Sequence, residues 1–170
     1  MTVPTVWAPR ASEMAVEVAG RREPMSAAGD RPGWYTAATA LAHGTDYLLV
    51  VDGEPVPDPA ARWSPRGVHG PSRVLDTSSF AWHDQDWAGA PLDGRSLVYE
   101  VHVGTFTVEG TLSAAAGKLA HLSDLGVTHV ELMPLAAFDG TRGWGYDGVQ
   151  LNAVHEPYGG PSRFTAPPRT

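Results

Sequence analysis

Leu97-Val98-Tyr99-Glu100-Val101-His102-Val103, then Thr111 to Leu125, then Val127-Thr128-His129-Val130-Glu131-Leu132-Met133 is the stretch that decides the fold. The first segment is dense in β-branched and aromatic residues, which predicts a strand. Thr111 is placed as the N-cap of one helix running to Leu125, because Leu112, Ala115, Leu119 and Leu122 share a face at helical spacing. Gly126 stands where a C′ glycine belongs. A second strand follows over 127–133 and is closed by Pro134. Strand, helix, strand at this spacing is a βαβ unit, whose two strands pair in parallel.

Upstream the pattern changes. Met14, Val16 and Val18 alternate with Ala15 and Glu17, the period of a half-buried strand. Trp34-Tyr35-Thr36-Ala37 follows a Pro-Gly turn, and Asp46 to Val51 reads as a strand ended by Asp52-Gly53. Pro55, Pro57, Pro59 and Pro65 exclude a helix or a central strand, so 54–73 is expected as an ordered, extended loop. Short strands at this spacing predict a small antiparallel sandwich. Downstream of Met133 the chain reads as a Gly-rich loop to about Gly160, then a tail without apolar periodicity. The expected layout is a β-rich module over 1–92, the start of an α/β domain over 93–162, and a disordered or aberrant tail over 163–170. A single βαβ unit leaves a parallel edge uncovered, so the α/β part is expected to be incomplete.

Composition excludes several classes. The formal net charge is −7 and Lys118 is the single lysine among 12 basic residues, so no basic stripe offers itself to nucleic acid or to an anionic membrane. Without cysteine there is no disulfide, thiolate metal site or cysteine nucleophile. No stretch has the length of a membrane span and no signal-like start is present, so a cytoplasmic location is expected. Six tryptophans and five tyrosines suit either core packing or sugar faces. Among Trp7, Trp34, Trp63, Trp82 and Trp87, Trp7 is expected in the core and Trp63 could reach toward the α/β part.

The segments 97–107 with Glu109-Gly110-Thr111, and 125–134, resemble the first two barrel strands of the α-amylase superfamily, glycoside hydrolase family 13. Arg142-Gly143-Trp144-Gly145-Tyr146-Asp147-Gly148 and Tyr158-Gly159-Gly160-Pro161 resemble the approach to the third strand. Val6-Trp7-Ala8-Pro9 and Asp46 through Gly53 resemble the immunoglobulin-like N-terminal module of its branching, debranching and trehalose-releasing members. Asp58-Pro59-Ala60-Ala61-Arg62-Trp63 and Gly67-Val68-His69-Gly70-Pro71-Ser72 are most similar to the trehalose-releasing ones.

The resemblance implies an immunoglobulin-like β-sandwich followed by the first strands and helix of a truncated (β/α)8 barrel. It implies hydrolysis of the α-1,4 bond next to the terminal trehalose of maltooligosyl trehalose, with retention, by two carboxyl groups about 5 Å apart. The segments that bear the family's reacting carboxylates have no counterpart here, so no catalytic residue is assigned and the chain is expected to be inactive. Substrate contact falls to Tyr146, Asp147, Trp144 and His102, because active sites of such barrels sit beyond the C-terminal ends of the strands. The family's Tyr at this position stacks on the sugar ring.

Other chemistries fare worse. Glu100 and His102 share one strand face and His129 and Glu131 another, which invites a metal or acid–base reading; a mutually satisfied structural network is preferred. His69 and His155-Glu156 lack a second ligand at metal spacing, so no metal and no cofactor are expected. No Gly-x-Ser-x-Gly elbow or Gly-Lys-Ser/Thr phosphate loop is present. The competing readings are a stand-alone, non-catalytic α-glucan-binding module, a piece of a branching or debranching enzyme, or an inactive remnant.

Overall fold

A computed structural model describes residues 1–78 and 84–161. Trp82 and the tail expected over 163–170 lie outside the described residues.

The first part is antiparallel throughout. Strands β1 (Thr5–Trp7), β2 (Met14–Val18), β3 (Arg21–Ala27), β4 (Trp34–Ala37), β5 (Asp46–Val51) and β6 (Glu54–Val56) lie in the order β1-β4-β3-β2-β5-β6, and β7 (Ser72–Arg73) pairs with β5. The expected two-sheet sandwich is one connected sheet instead. Its link is β3, whose residues 21–24 pair with β2 while residues 25–27 pair with β4. Both halves close over one core of Val6, Met14, Val16, Met25, Ala37, Leu41, Tyr47, Leu49 and Val74. The alternation read in β2 holds, with Met14 and Val16 buried.

Turn chemistry sets the register. Ala19 (φ 50°) and Gly20 (φ 76°) connect the paired Val18 and Arg21, and Asp52 (φ 50°) and Gly53 (φ 92°) connect Val51 and Glu54. Two positive-φ residues in a two-residue loop match the right-handed twist of the flanking strands. Segment 54–73 is not all loop, since it contributes β6 and β7. Pro55 is tolerated because β6 lies at the sheet edge.

The second part begins with β8 (Val98–Val101), which pairs in parallel with β9 (His129–Leu132), Val98 opposite His129 and Glu100 opposite Glu131. β8 is shorter than 97–103 because Val103 opens a helical turn, α1 (Val103–Phe106). The single helix expected from Thr111 to Leu125 is two, α2 (Leu112–Ala116) and α3 (Leu119–Asp124). Thr111 caps the first as read, its Oγ1 accepting from the Ala114 N–H at 3.3 Å. The break falls at Gly117-Lys118, where the Lys118 N–H bonds to the Ala115 carbonyl and tightens the turn. Gly126 (φ 86°) ends α3, with the Val127 N–H reaching back to the Leu122 carbonyl at 3.0 Å.

The Gly-rich segment after Met133 is also more ordered than expected. β10 (Ala136–Ala137) and β11 (Gln150–Val154) form an antiparallel pair, followed by a 3₁₀ turn over Glu156–Tyr158. This pair meets the first part directly. Val68 packs with Ala137 and Ala153, Ser64 Oγ donates to Gln150 Oε1, and Trp63 Nε1 donates to Glu156 Oε2 at 3.0 Å. Trp63 therefore reaches the second part, as its position suggested. Trp7 does not enter the core: it is 60% exposed, and Val6 points inward instead. No described helix is long and apolar enough to cross a membrane.

Candidate functional site

His102 follows the last residue of β8, and its carbonyl accepts the Thr105 and Phe106 N–H groups that start α1, both at 3.0 Å. Its Nδ1 lies 3.3 Å from Thr105 Oγ1, and its Nε2 is buried without a hydrogen-bond partner. The ring is half-buried, with its neighbours pressed close. A Cβ on Gly104 would come within 3.1 Å of His102 Cε1, and one on Gly145 within 3.1 Å of Cδ2 and 2.6 Å of Met133 Cε. Gly145 also has φ 98°, so only glycine lets the 142–148 loop cross over this histidine. His102 thus lies beneath the loop rather than open to a cleft.

The crossing presents the other predicted residues outward. Tyr146 is 72% exposed, and its hydroxyl lies 3.5 Å from Glu100 Oε1, to which it can donate. Trp144 is 90% exposed. Asp147 Oδ2 accepts the Trp144 backbone N–H, so one carboxylate oxygen serves the loop itself. The structure sets Tyr146 against Glu100 of β8, Gly145 over His102 and the Asp147 carboxylate within electrostatic reach of Tyr158, and leaves Trp144 exposed.

The mutual carboxylate–imidazole network expected across β8 and β9 does not form. Glu100 stands opposite Glu131, not a histidine, and His129 Nδ1 pairs with its neighbour Thr128 Oγ1 at 2.8 Å. His129 Nε2, like that of His102, has no partner. Among the described residues no group of three or more His, Asp or Glu side chains could hold a metal ion.

Sequence reading missed the floor of this region. Phe138 stacks on His155 with centroids 3.7 Å apart, Tyr158 meets both edge-on, and Val103 packs against them. His155, read as a loop residue, is 3% exposed at the end of β11. Tyr158 is pushed above its ordinary pKa by burial and by the carboxylate of Asp147. His155 and Tyr158 open and close one 3₁₀ turn, the Tyr158 N–H bonding to the His155 carbonyl at 3.0 Å, and Phe138 reaches them from the end of β10. A cavity of about 480 Å³ opens between Pro65–His69 and the segment 139–141. Around it Arg66 pairs with Asp46, Glu156 accepts from Trp63 Nε1, and His69 Nε2 lies 3.6 Å from Asp139 Oδ1.

Burial holds His155 below its ordinary pKa of 6.5, favouring the neutral ring. The unfolded chain takes up a proton below about pH 6.5 that the folded chain resists. Stability from this group is therefore complete above that pH and falls as pH drops through the lowered folded value. Thermal melts between pH 7.5 and 5 should show this decline, and His155→Phe should flatten it; an unchanged slope would contradict the assignment.

No family model matches the chain. Curated relatives do. A malto-oligosyltrehalose trehalohydrolase of Deinococcus radiodurans is 49% identical over 161 residues, covering 95% of the chain and 26% of that protein. One of Rhizobium sp. (strain M-11) is 48% identical over 169 residues, covering 94% and 28%. A 1,4-alpha-glucan branching enzyme of Rhizobium johnstonii is 32% identical, covering 94% and 25%. The chain thus spans about a quarter of the length of these relatives. Among solved structures, a Salmonella typhimurium protein named for alpha amylase superposes with a TM-score of 0.87 at 45% identity, over 95% of this chain and 28% of that one. A pullulanase from Bacillus acidopullulyticus, 20% identical, shares the fold with a TM-score of 0.75 over 96% of this chain and 25% of its own. The chain is the counterpart of the N-terminal part of malto-oligosyltrehalose trehalohydrolases, within glycoside hydrolase family 13 of the α-amylase superfamily.

Proposed function

We propose that this chain is the N-terminal part of a hydrolase that cleaves the α-1,4 bond next to the terminal trehalose of maltooligosyl trehalose. The observation that carries the reading is the identity of 49% to a trehalohydrolase, sustained over 95% of the chain, against 32% to a branching enzyme. Residues 1–92 are the N-terminal module, and β8, the helices after it and β9 are the first strand–helix–strand unit of a (β/α)8 barrel.

In this reading Tyr146 offers an aromatic face to a sugar ring beyond the end of β8, and its exposure supports that role. Asp147 keeps one carboxylate oxygen for a sugar hydroxyl while the other holds the loop. Trp144 extends the contact at the rim, and His102 supports the loop from below through Gly145. The nucleophile and the general acid of a retaining hydrolase, about 5 Å apart, belong to barrel strands beyond β9. No residue of this chain is assigned to either role. The substrate is maltooligosyl trehalose or a related α-1,4-glucan.

The 170-residue chain incubated with maltooligosyl trehalose is therefore expected to release no trehalose above background, measured by chromatography of the products. Turnover by the isolated chain would show that its own carboxylates perform the reaction and would overturn the assignment of roles.

A further inference from the structure

Trp63 belongs to the β-rich part but sends its indole into the second part. On its own side it is clamped. The Arg73 guanidinium lies 4.9 Å from its ring centroid, and the Arg73 backbone N–H bonds to its carbonyl at 2.9 Å. Arg73 is itself held by the carboxylate of Asp46 in β5. The indole N–H then crosses to Glu156 Oε2 at 3.0 Å. Two other contacts between the parts end on the β10–β11 pair: Ser64 reaches Gln150, and Val68 packs on Ala137 and Ala153. Trp63 grips the turn beyond that pair instead.

Glu156 is the first residue of the 3₁₀ turn that ends on Tyr158. A Cβ on Gly160 would come 2.6 Å from Glu156 Oε2, so glycine there lets the carboxylate lie back over the turn. Tyr158 is 3% exposed, and its ring meets that of His102 edge-on with centroids 6.2 Å apart. Both rings press on Gly104, where a Cβ would lie 3.0 Å from Tyr158 Cε1 and 3.1 Å from His102 Cε1. His102 in turn lies under Gly145, the residue before Tyr146. From Trp63 to the 142–148 loop, each step is a hydrogen bond, a shared turn or a ring contact.

We infer that Trp63 is a positioning residue for the 142–148 loop. Its bond to Glu156 sets the turn that holds Tyr158 against His102, and through them the ring of Tyr146. That this loop meets substrate rests on the proposed function; the link from Trp63 to the loop does not.

Kinetics test the link in this chain fused to the rest of the Deinococcus radiodurans relative, with trehalose release as the readout. Trp63→Phe keeps a ring and removes the N–H donor, and should lower kcat about tenfold while KM changes by less than about twofold. Glu156→Ala should match it, and Glu156→Gln, which keeps an acceptor, should recover most of the loss. In a Tyr146→Ala background, Trp63→Phe should cost less than about twofold more, because the ring it positions is gone. Val68→Ala loosens the junction without touching the turn, so it should lower the melting temperature and leave kcat near the wild-type value.

Hydrogen exchange of the isolated chain supplies a readout free of substrate. Trp63→Phe and Glu156→Ala should each speed exchange at two amides by about tenfold. These are the Tyr158 N–H, bonded to the His155 carbonyl, and the Trp144 N–H, bonded to Asp147. The amides of β2 and β5 should keep their rates. Unmoved exchange at Trp144 overturns the inference, as does full additivity of Trp63→Phe with Tyr146→Ala. Glu156→Gln as damaging as Glu156→Ala, or an equal loss of kcat in Val68→Ala, overturns it too. A fusion that releases no trehalose, beside moved exchange, ends the trehalose reading and keeps the positioning. A releasing fusion beside unmoved exchange ends the positioning and keeps the proposed function.

Discussion

Leu49→Ala is expected to cost about 2–5 kcal/mol of folding stability. Leu49 is 1% exposed at the centre of β5 and lies between Val16 of β2, itself 1% exposed, and Val56 of β6. Its truncation leaves a void where both halves of the curled sheet meet one core, and neighbours held in strand register cannot collapse into it. For a domain whose total stability is about 5–15 kcal/mol, that is a large share. The melting temperature should fall by roughly 10 °C, read by circular dichroism. Leu48 is the control: it lies next in the same strand, points to the other face and is half-buried. Leu48→Ala should lose less than half as much, and equal losses at the two positions would contradict the core as described.

The second large effect concerns chemistry. In a chimera that joins this chain to the rest of the Deinococcus radiodurans relative, Tyr146→Ala should lower kcat/KM for maltooligosyl trehalose by about 100-fold, equivalent to ~2.7 kcal/mol of transition-state stabilisation. Tyr146→Phe keeps the ring and loses the hydroxyl that faces Glu100 at 3.5 Å, so it should lose only about threefold. Trp144→Ala removes a side chain that is 90% exposed and should have a similarly small effect. The order of the three variants is the test. A Tyr146→Phe loss as large as that of Tyr146→Ala would move the role from the ring to the hydroxyl, and no loss in any of them would remove this loop from the site.

Much of the fold was legible because local signals agreed with tertiary ones. The alternation of Met14 and Val16, the Asp52-Gly53 turn, the Thr111 cap and the Gly126 stop each act within a few residues of themselves. β3 was not legible: Arg21-Arg22-Glu23-Pro24 carries no apolar alternation, yet its backbone joins the two halves of the sheet. The helix over 111–125 was read as one because the apolar face runs through it, whereas Gly117 lets the chain tighten and start again. β10 and β11 hid in a Gly-rich stretch because β10 spans only Ala136–Ala137 and β11 follows a loop.

The candidate site was legible in part for the same reason. Tyr146 and Asp147 announce themselves through a local motif; the structure sets Tyr146 against Glu100 of β8 and ties Asp147 to the Trp144 backbone of its own loop. The stack of Phe138 on His155 and Tyr158 joins the end of β10 to the 3₁₀ turn after β11, and only the folded chain displays that meeting. Trp7 shows the reverse error. A tryptophan early in a strand suggests the core, but the choice of face belongs to Val6, whose position one residue earlier turns the indole outward.

The proposed function makes this chain the opening portion of a trehalose-releasing hydrolase, without the reacting carboxylates. The chimera measures it most directly, with the isolated chain assayed beside it on maltooligosyl trehalose and the products resolved by chromatography. Free trehalose is expected from the chimera and none from the chain. A correctly folded chimera that released no trehalose, or that formed branched glucan instead, would contradict it.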